Sequence, residues 1–338
     1  MKSVISRLHI FLGSVALCLG FANASAQAVQ LDPKLPAYKV AQGVSGNLKS
    51  VGSDTMNELM ATWTEGFKKL YPSVTTEMEG KGSATAPPAL VAGSTTFGAM
   101  SRLMKSEEID QFEKAFGYKP TEIPTSIDAL AVFVHKDNPL KGLTFQQIDA
   151  LFSKTRKGGA TQEIHTWGEL GLTGDWANKP ISLYGRDSSS GTYLYFKEHA
   201  LFKGDFRDDV KEQKGSSGVV GAVATDKYAI GYSGIGYRTS DVRAVPLASA
   251  EGKPFVEATS ANAYSGEYPL SRFLYVYVNQ KPGTELDPLR REFIRYMLSK
   301  EGQSNVVEKG FYPLTADLTA KALGKVGIKN VMEASNPK

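Results

Sequence analysis

The sequence predicts an α/β protein, because strand-like apolar runs alternate with stretches of helical periodicity along most of its 338 residues. Hydrophobic residues make up 41% and charged residues 22% of the chain, values that are typical of a soluble globular protein. No internal repeat or low-complexity tract interrupts this alternation. The length allows two lobes of ordinary domain size, each burying its own core.

The first 28 residues have the pattern of a secretory signal peptide. Lys2 and Arg7 form a basic start, and a short apolar run, 10–21, is followed by small residues at 22–28 that suit cleavage. The apolar run is too short to span a bilayer. We therefore expect an exported protein, in which residues 29–46 form an extended leader.

Cleavage there would remove Cys18, the single cysteine, so the mature chain would have no disulfide and would depend on its core. It would also lower the formal net charge from +4 to +2, which is too small to indicate a nucleic-acid partner. No later run of about 18 apolar residues suggests a further membrane segment.

The elements that follow the leader can be assigned in order from periodicity and flanking residues. We predict strands at 48–54, 74–80, 95–101, 127–136, 181–187, 228–237 and 273–279, and helices at 55–71, 86–93, 144–153, 192–202 and 287–303. The first helix repeats apolar residues at helical spacing and stops before Pro72. The last one has Asp287 as N-cap and Pro288 at its first position, with Leu289, Phe293 and Met297 on its apolar face.

Two polar turns in the first part of the chain lie where helices begin. Thr55 with Glu58 fits a capping box at the start of the first helix, and Ser83 lies in a turn before the short second helix. Helix N-termini carry free N–H groups and a partial positive charge, so each turn is a candidate anion site. Taken singly, each turn is weak evidence for a site, because a Ser or Thr at a helix start is usually only a cap.

A third turn, the "GRDSSSGT" segment 185–192, combines more donors than a helix cap needs. Arg186 can bind two oxygens of a tetrahedral oxyanion as a planar fork. Ser190, Gly191 and Thr192 begin a helix, where hydroxyls and backbone N–H groups add donors. The segment is therefore predicted to be one half of an anion-binding site.

Other chemistries fit this turn less well. A P-loop needs a lysine where Thr192 stands, and no G-x-S-x-G nucleophile elbow occurs in the chain. The four histidines show no metal-ligand spacing, so we expect no metal and no cofactor. A secreted phosphoester hydrolase that uses one of Ser188 to Ser190 as nucleophile remains an open alternative, with a base from a remote part of the chain.

The order of these motifs resembles the periplasmic phosphate-binding proteins of high-affinity phosphate ABC transporters, which are type II solute-binding proteins. The resemblance extends from about Leu48 to about Pro313, and its matching pieces include "VGSDTMNELMATWTEGFKKLYP", "GKGSATAPPALVAGSTTFGAMSR", "IDALAVFVHKDNPL", "ISLYGRDSSSGTYLYF", "AIGYSGIGY" and "LYVYVNQKPG". It implies two α/β lobes joined by two crossing strands that act as a hinge. We place the crossings near Pro124–Asp128 and Tyr268–Arg272. The first lobe would then hold 47–125 and 270–338, and the second lobe 126–269.

The resemblance also implies the phosphate ligands. They are Thr55, the backbone around Met56, Ser83 and Ser101 from the first lobe, and Arg186, Ser190, Gly191 and Thr192 from the second. In well-studied members the position of Ser101 is an aspartate that accepts the proton of hydrogen phosphate and thereby rejects sulfate. Here Asp54 or Asp187 can supply that acceptor, or each can simply cap a helix or pair with an arginine. The departure at Ser101 leaves sulfate, molybdate or a phosphonate as alternative ligands.

The function expected from the sequence is therefore capture rather than catalysis. We expect a periplasmic, monomeric, non-enzymatic protein that binds inorganic phosphate and delivers it to a membrane-embedded ABC permease. Hydrogen bonds to a charged group are worth roughly 1.5–3 kcal/mol each before costs. Micromolar affinity needs only about 8 kcal/mol, so hydroxyls, helix N-termini and arginine suffice without a metal.

Overall fold

The computed structural model describes residues 29–328, which form a mixed α/β fold on one nine-stranded sheet and a small two-stranded one. The predicted signal peptide, residues 1–28, lies outside the described residues. The strands are β1 Gly46–Gly52, β2 Val74–Gly80, β3 Phe97–Met100, β4 Thr121–His135, β5 Leu143–Thr144, β6 Ser182–Arg186, β7 Lys211–Gln213, β8 Ala229–Gly234, β9 Val242–Ala244, β10 Leu247–Ala248 and β11 Ser271–Val278. The helices are α1 Asn57–Leu70, α2 Ala86–Val91, α3 Ser106–Phe116, α4 Phe145–Phe152, α5 Gly191–His199, α6 Gly215–Thr225, α7 Ser260–Ser265, α8 Pro288–Met297, α9 Lys300–Glu308 and α10 Ala316–Lys325.

One long strand connects the two parts of the large sheet, whose order is β2-β1-β3-β11-β4-β8-β6-β7, with β9 also paired to β4. The first half of β4 pairs antiparallel with β11, and its second half pairs with β8 and β9. We call the part built on β1, β2 and β3 the first lobe, and the part built on β6 to β9 the second lobe. The α/β prediction is confirmed. The residue limits of the lobes stay a prediction.

Helix α1 forms because its apolar residues repeat at helical spacing, and Leu59, Trp63 and Phe67 are all buried. The predicted capping box at Thr55 and Glu58 is wrong. The helix begins at Asn57, with Met56 as N-cap and no side-chain hydrogen bond to the cap. The Thr55 hydroxyl instead bonds to residues of the second lobe, so a tertiary contact has replaced the local one.

The segment predicted as one last helix is two helices. Asp287 is the N-cap of α8 as predicted, since its carboxylate accepts from the Arg290 N–H at 3.0 Å. The chain then leaves α8 and starts α9, where the Ser299 hydroxyl accepts from the Gly302 N–H. A second cap is therefore present inside the predicted helix.

The leader is ordered by packing against the first lobe. Leu35 is buried, and the Tyr38 hydroxyl lies 2.6 Å from that of Tyr71 on the end of α1. The Lys300 N–H donates to the Pro36 carbonyl at 2.9 Å, which fastens the segment to α9. These contacts hold the segment against the first lobe, and its description as an extended leader stays a prediction.

The core differs from the expectation of one core per lobe. The largest cluster of buried apolar residues is continuous and includes Leu48 of β1, Val132 of β4 and Tyr232 of β8. A smaller cluster lies around Phe112 of α3. Since β4 belongs to both lobes, its buried side chains join the two apolar interiors. Among residues 29–328, no helix is long and apolar enough to cross a membrane.

The aromatic cluster under α1 gives a test of this packing. Phe67 is fully buried, and its ring centroid lies 5.2 Å from that of Phe293. We expect Phe67→Ala to lower the free energy of unfolding by about 3–5 kcal/mol, because it leaves a cavity in the core. Leu70→Ala, on the exposed end of the same helix, is the matched control and should change stability by less than about 1 kcal/mol. Urea denaturation measures both, and equal losses would contradict this account of the core.

Candidate functional site

The predicted site residues of the two lobes meet in the cleft between them. They are Asp54, Thr55, Met56, Ser83, Ser101, Arg186, Ser190, Gly191 and Thr192, and the side chains of Thr55, Ser83, Ser101, Arg186, Ser190 and Thr192 are all at least 98% buried. Across the cleft, the Thr55 and Thr192 hydroxyl oxygens lie 2.8 Å apart. The structure therefore brings all nine into one region, with polar groups facing each other.

The sheet explains why residues so distant in sequence converge. Strands β1, β2 and β3 are parallel, and Thr55, Ser83 and Ser101 follow their carboxyl ends. Strands β6 and β8 are likewise parallel, and Arg186 is the last residue of β6. Loops that leave the carboxyl ends of parallel strands gather at one edge, which is where such sheets bind ligands.

The first lobe contributes a pair of hydroxyls. The Ser83 and Ser101 Oγ atoms lie 3.2 Å apart, and the Ser101 N–H donates to Ser83 Oγ at 3.0 Å. A Cβ placed on Gly191 of the second lobe would lie closer than 3.0 Å to both hydroxyl oxygens. Gly191 is therefore required for this close approach of α5 to the first lobe.

Arg186 is the main charged group contributed by the second lobe. Its guanidinium Nη2 lies 2.6 Å from Asp54 Oδ2, and its Nη1 donates to the Ser216 hydroxyl at 3.0 Å. Asp54 Oδ2 also accepts from the Ser216 N–H at the start of α6. Asp54 Oδ1 and Arg186 Nε are buried and have no hydrogen-bond partner among the described residues. The arginine is thus held by an aspartate of the opposite lobe.

The start of α5 is capped from within the predicted cluster. The Ser190 hydroxyl accepts from the Thr192 and Tyr193 N–H groups at 3.1 and 3.4 Å. Its hydrogen remains free to donate outward, because an acceptor hydroxyl keeps its own proton. Ser190 is therefore the N-cap of α5 and still has one hydroxyl hydrogen to donate.

Three site residues were not found from the sequence. Ser216 lies in "KGSSGVV", a glycine-serine helix start after a short strand, which is the same signal that marked the turn at 185–192. Arg272 and Asp128 lie on the two crossing strands, and Arg272 Nη2 donates to Thr192 Oγ1 at 2.8 Å. Nothing local in either strand distinguishes these two from ordinary surface charges.

Tyr237 supports the loop that carries Asp54 and Thr55. Its hydroxyl donates to both of their backbone carbonyls at 3.1 Å. Burial, followed by the nearby charges of Glu58 and Asp54, raises the pKa of the Tyr237 hydroxyl, so it remains a donor across the neutral range. The loop is therefore fixed from the second lobe.

Two further charged residues near the site, Arg102 next to Ser101 and the candidate Asp187, have other partners. Arg102 faces away into a bidentate pair with Glu108, with both N–O distances at 2.7 Å. The Asp187 carboxylate accepts from the Ser189 N–H at 2.9 Å and lies at the mouth of the cleft. Within residues 29–328, no group of three or more His, Cys, Asp or Glu side chains could hold a metal ion.

The mouth of the cleft is closed by contacts between the lobes. The Ala84 N–H donates to the Ser189 carbonyl, and the Ser189 hydroxyl donates to the Lys81 carbonyl, both at 3.1 Å. Beside them lies a cavity of about 340 Å³ whose lining includes Lys81, Lys214 and Asp187. The structure thus represents a closed arrangement of the two lobes.

Comparisons with known proteins agree with the fold. A profile of the PBP superfamily domain matches residues 39–301. The phosphate-binding protein PstS of Pseudomonas aeruginosa is 55% identical over 96% of this chain and 99% of its own. That of Staphylococcus haemolyticus is 30% identical over 77% of this chain and 79% of its own.

A solved structure gives the same result. The crystal structure of a putative phosphate ABC transporter substrate-binding protein from Clostridium perfringens, with bound phosphate, has a TM-score of 0.67 and 28% identity. It covers 80% of this chain and is itself covered completely. The fold and the matches define a solute-binding protein with two lobes. The chain belongs to the PBP superfamily and, within it, to the PstS proteins, which confirms the resemblance found in the sequence.

The close approach at Gly191 can be tested through lobe closure. Gly191→Ala places a methyl group against the Ser83 and Ser101 hydroxyls, so we expect the variant to have a larger radius of gyration in small-angle X-ray scattering. Gly221→Ala is the matched control, because nothing lies within 4 Å of its added Cβ and it is also helical. An unchanged radius in Gly191→Ala would show that the closed arrangement does not depend on this contact.

Proposed function

We propose that this protein is a periplasmic, non-enzymatic binding protein that holds inorganic phosphate between its two lobes and delivers it to a membrane-embedded ABC permease. The nine predicted residues, together with Ser216, are the proposed phosphate-binding set. The observation that carries the proposal is the buried cluster of hydroxyls around Arg186, contributed by both lobes. The relatives named PstS and the phosphate-bound structural neighbour support the choice of ligand.

The chemistry of the cluster suits a tetrahedral oxyanion. Thr55, Ser83, Ser101, Ser190 and Thr192 provide hydroxyl donors, and Arg186 and the start of α5 provide positive charge. A buried dianion is stable only if its oxygens find donors, and these groups are already desolvated in the closed arrangement. The exposed ammonium groups of Lys81 and Lys214 at the mouth would attract anions toward the cleft.

The proposed delivery depends on opening of the cleft. We place the hinge at the crossing segments 124–128 and 268–272, where β4 pairs with the start of β11. Contacts at the mouth, such as that of Ala84 with Ser189, are between single groups and can break without unfolding either lobe. Monomeric action fits this arrangement, because one chain supplies both walls of the site.

Calorimetry with phosphate and sulfate tests the proposal. We expect tight phosphate binding and weak sulfate binding by the protein, and a loss of about 2–5 kcal/mol of phosphate affinity in Arg186→Ala, which removes a buried charge. Arg290→Ala, at a surface ion pair of α8, is the matched control and should bind phosphate unchanged. Equal affinity for both anions would overturn the choice of phosphate. Turnover of a chromogenic phosphate ester, lost in Ser190→Ala, would favour a hydrolase instead.

Selectivity against sulfate needs an acceptor as well as donors. Hydrogen phosphate carries a proton at neutral pH and sulfate does not, so a carboxylate in the site accepts from one and repels the other. Ser101 cannot do this alone. Asp54 forms an ion pair with Arg186, and its Oδ1 atom is buried without a hydrogen-bond partner among the described residues. The Asp187 carboxylate instead accepts from the Ser189 N–H. We propose Asp54 as the acceptor.

Asp54→Asn should therefore lower the ratio of phosphate to sulfate affinity by about tenfold or more, because its amide can donate to sulfate and no longer repels it. Asp187→Asn is the matched control, in which the same change at the mouth should leave the ratio nearly constant. Competition calorimetry with both anions at pH 7 measures the ratio. A larger drop in Asp187→Asn than in Asp54→Asn would assign the acceptor to Asp187.

A further inference from the structure

A second buried arginine lies beside the proposed site, at the crossing of the two long strands. Arg272 of β11 is the register partner of Asp128 of β4. Its Nε and Nη2 donate to Asp128 Oδ2 at 3.0 and 2.8 Å, and both residues are buried. A buried ion pair is often no more stabilising than apolar residues of the same size. Stability alone therefore does not account for its presence.

The other contacts of this pair reach both lobes. Arg272 Nη1 donates to the Ser101 carbonyl at 2.9 Å, and Nη2 also donates to the Thr192 hydroxyl at 2.8 Å. Asp128 Oδ1 accepts from the Ile235 N–H at 3.0 Å, just after β8. The guanidinium thus touches one proposed phosphate ligand from each lobe.

The bond to Thr192 determines what that hydroxyl can do. Arginine has donors only, so Thr192 Oγ1 must accept from Arg272. Its own hydrogen is then directed elsewhere, to Thr55 Oγ1 at 2.8 Å or to an anion in the cleft. The guanidinium therefore fixes Thr192 as a donor toward the site.

The same constraint acts on a row of three hydroxyls, which runs from Thr192 through Thr55 to Ser216. Thr192, Thr55 and Ser216 are joined by oxygen–oxygen distances of 2.8 and 3.3 Å, and Arg186 Nη1 donates to Ser216. Each of the three hydroxyls has one hydrogen, but the row has only two internal links, so at least one hydrogen is left to donate outside it. An arginine donates to the hydroxyl oxygen at each end of the row, and arginine cannot accept a hydrogen in return. The spare hydrogen is therefore available to an anion.

We propose that Arg272 is a positioning residue for anion binding, which orients the Thr192 hydroxyl as a donor and links that orientation to closure through the Ser101 carbonyl and Asp128. This inference rests on the proposed function. Arg272 acts through Thr192 and Ser101. It is therefore distinct from Arg186, which carries the charge of the site itself.

A double-mutant cycle tests the inference by calorimetry with inorganic phosphate on the mature protein. Arg272→Lys keeps the positive charge beside Asp128 but lacks the planar guanidinium group that donates to Thr192 and Ser101 at the same time. We expect Thr192→Val to weaken phosphate binding about tenfold in the wild-type background and much less in Arg272→Lys, a coupling of roughly 5- to 10-fold. The matched cycle uses Ser83→Ala, since Ser83 belongs to the site but reaches Arg272 only through Ser101, and its effect should differ between the two backgrounds much less than that of Thr192→Val.

The outcomes separate this inference from the proposed function. A wild-type protein that does not bind phosphate contradicts both. A phosphate-binding wild type in which the Thr192 and Ser83 cycles are equally additive overturns the role of Arg272 alone. A lower thermal midpoint of Arg272→Lys with unchanged phosphate affinity also overturns it, because the pair would then be structural only. If Arg272→Lys does not fold, Asp128→Asn with Arg272→Met replaces it in the same cycle, since no buried charge is left unpaired.

Discussion

The ion pair between Arg186 and Asp54 is the contact on which the closed arrangement depends. The two side chains come from opposite lobes, and a guanidinium with 1% of its side chain exposed cannot remain there without a partner. The Ser216 N–H and hydroxyl complete the pair by binding the carboxylate and the guanidinium. Opening the cleft separates this pair, and water must then solvate both charges.

The position of the site follows from this constraint and from the sheet. Parallel strands deliver Thr55, Ser83 and Ser101 to one edge of the first lobe, and β6 delivers Arg186 to the facing edge of the second. The crossing strands β4 and β11 pass close behind, so the proposed hinge and the candidate site share the Arg272 side chain. Motion at the hinge therefore cannot occur without changing the surroundings of the hydroxyls.

Strong local signals were sufficient for much of the fold. Apolar runs predicted β4 and β11, helical spacing predicted α1 and α4, and the Asp287-Pro288 pair marked the start of α8. The prediction failed where a local signal competed with a distant partner. Thr55 has the sequence context of a helix cap, but its hydroxyl bonds to Thr192 across the cleft. A tertiary hydrogen bond in a buried site outweighs a cap that water could also satisfy.

The sequence by itself determined the class of fold and the family and predicted the donor groups, because these depend on periodicity and on motifs of adjacent residues such as "GRDSSSGT". Only the tertiary structure decided the partners of the charges. Asp128 and Arg272 are 144 residues apart, and neither strand contains a sign that the other supplies its counter-ion. It also distinguished Asp54 from Asp187, which are both aspartates beside a serine or threonine in a turn. The physical reason is that the energy of a buried charge depends on which groups surround it in space.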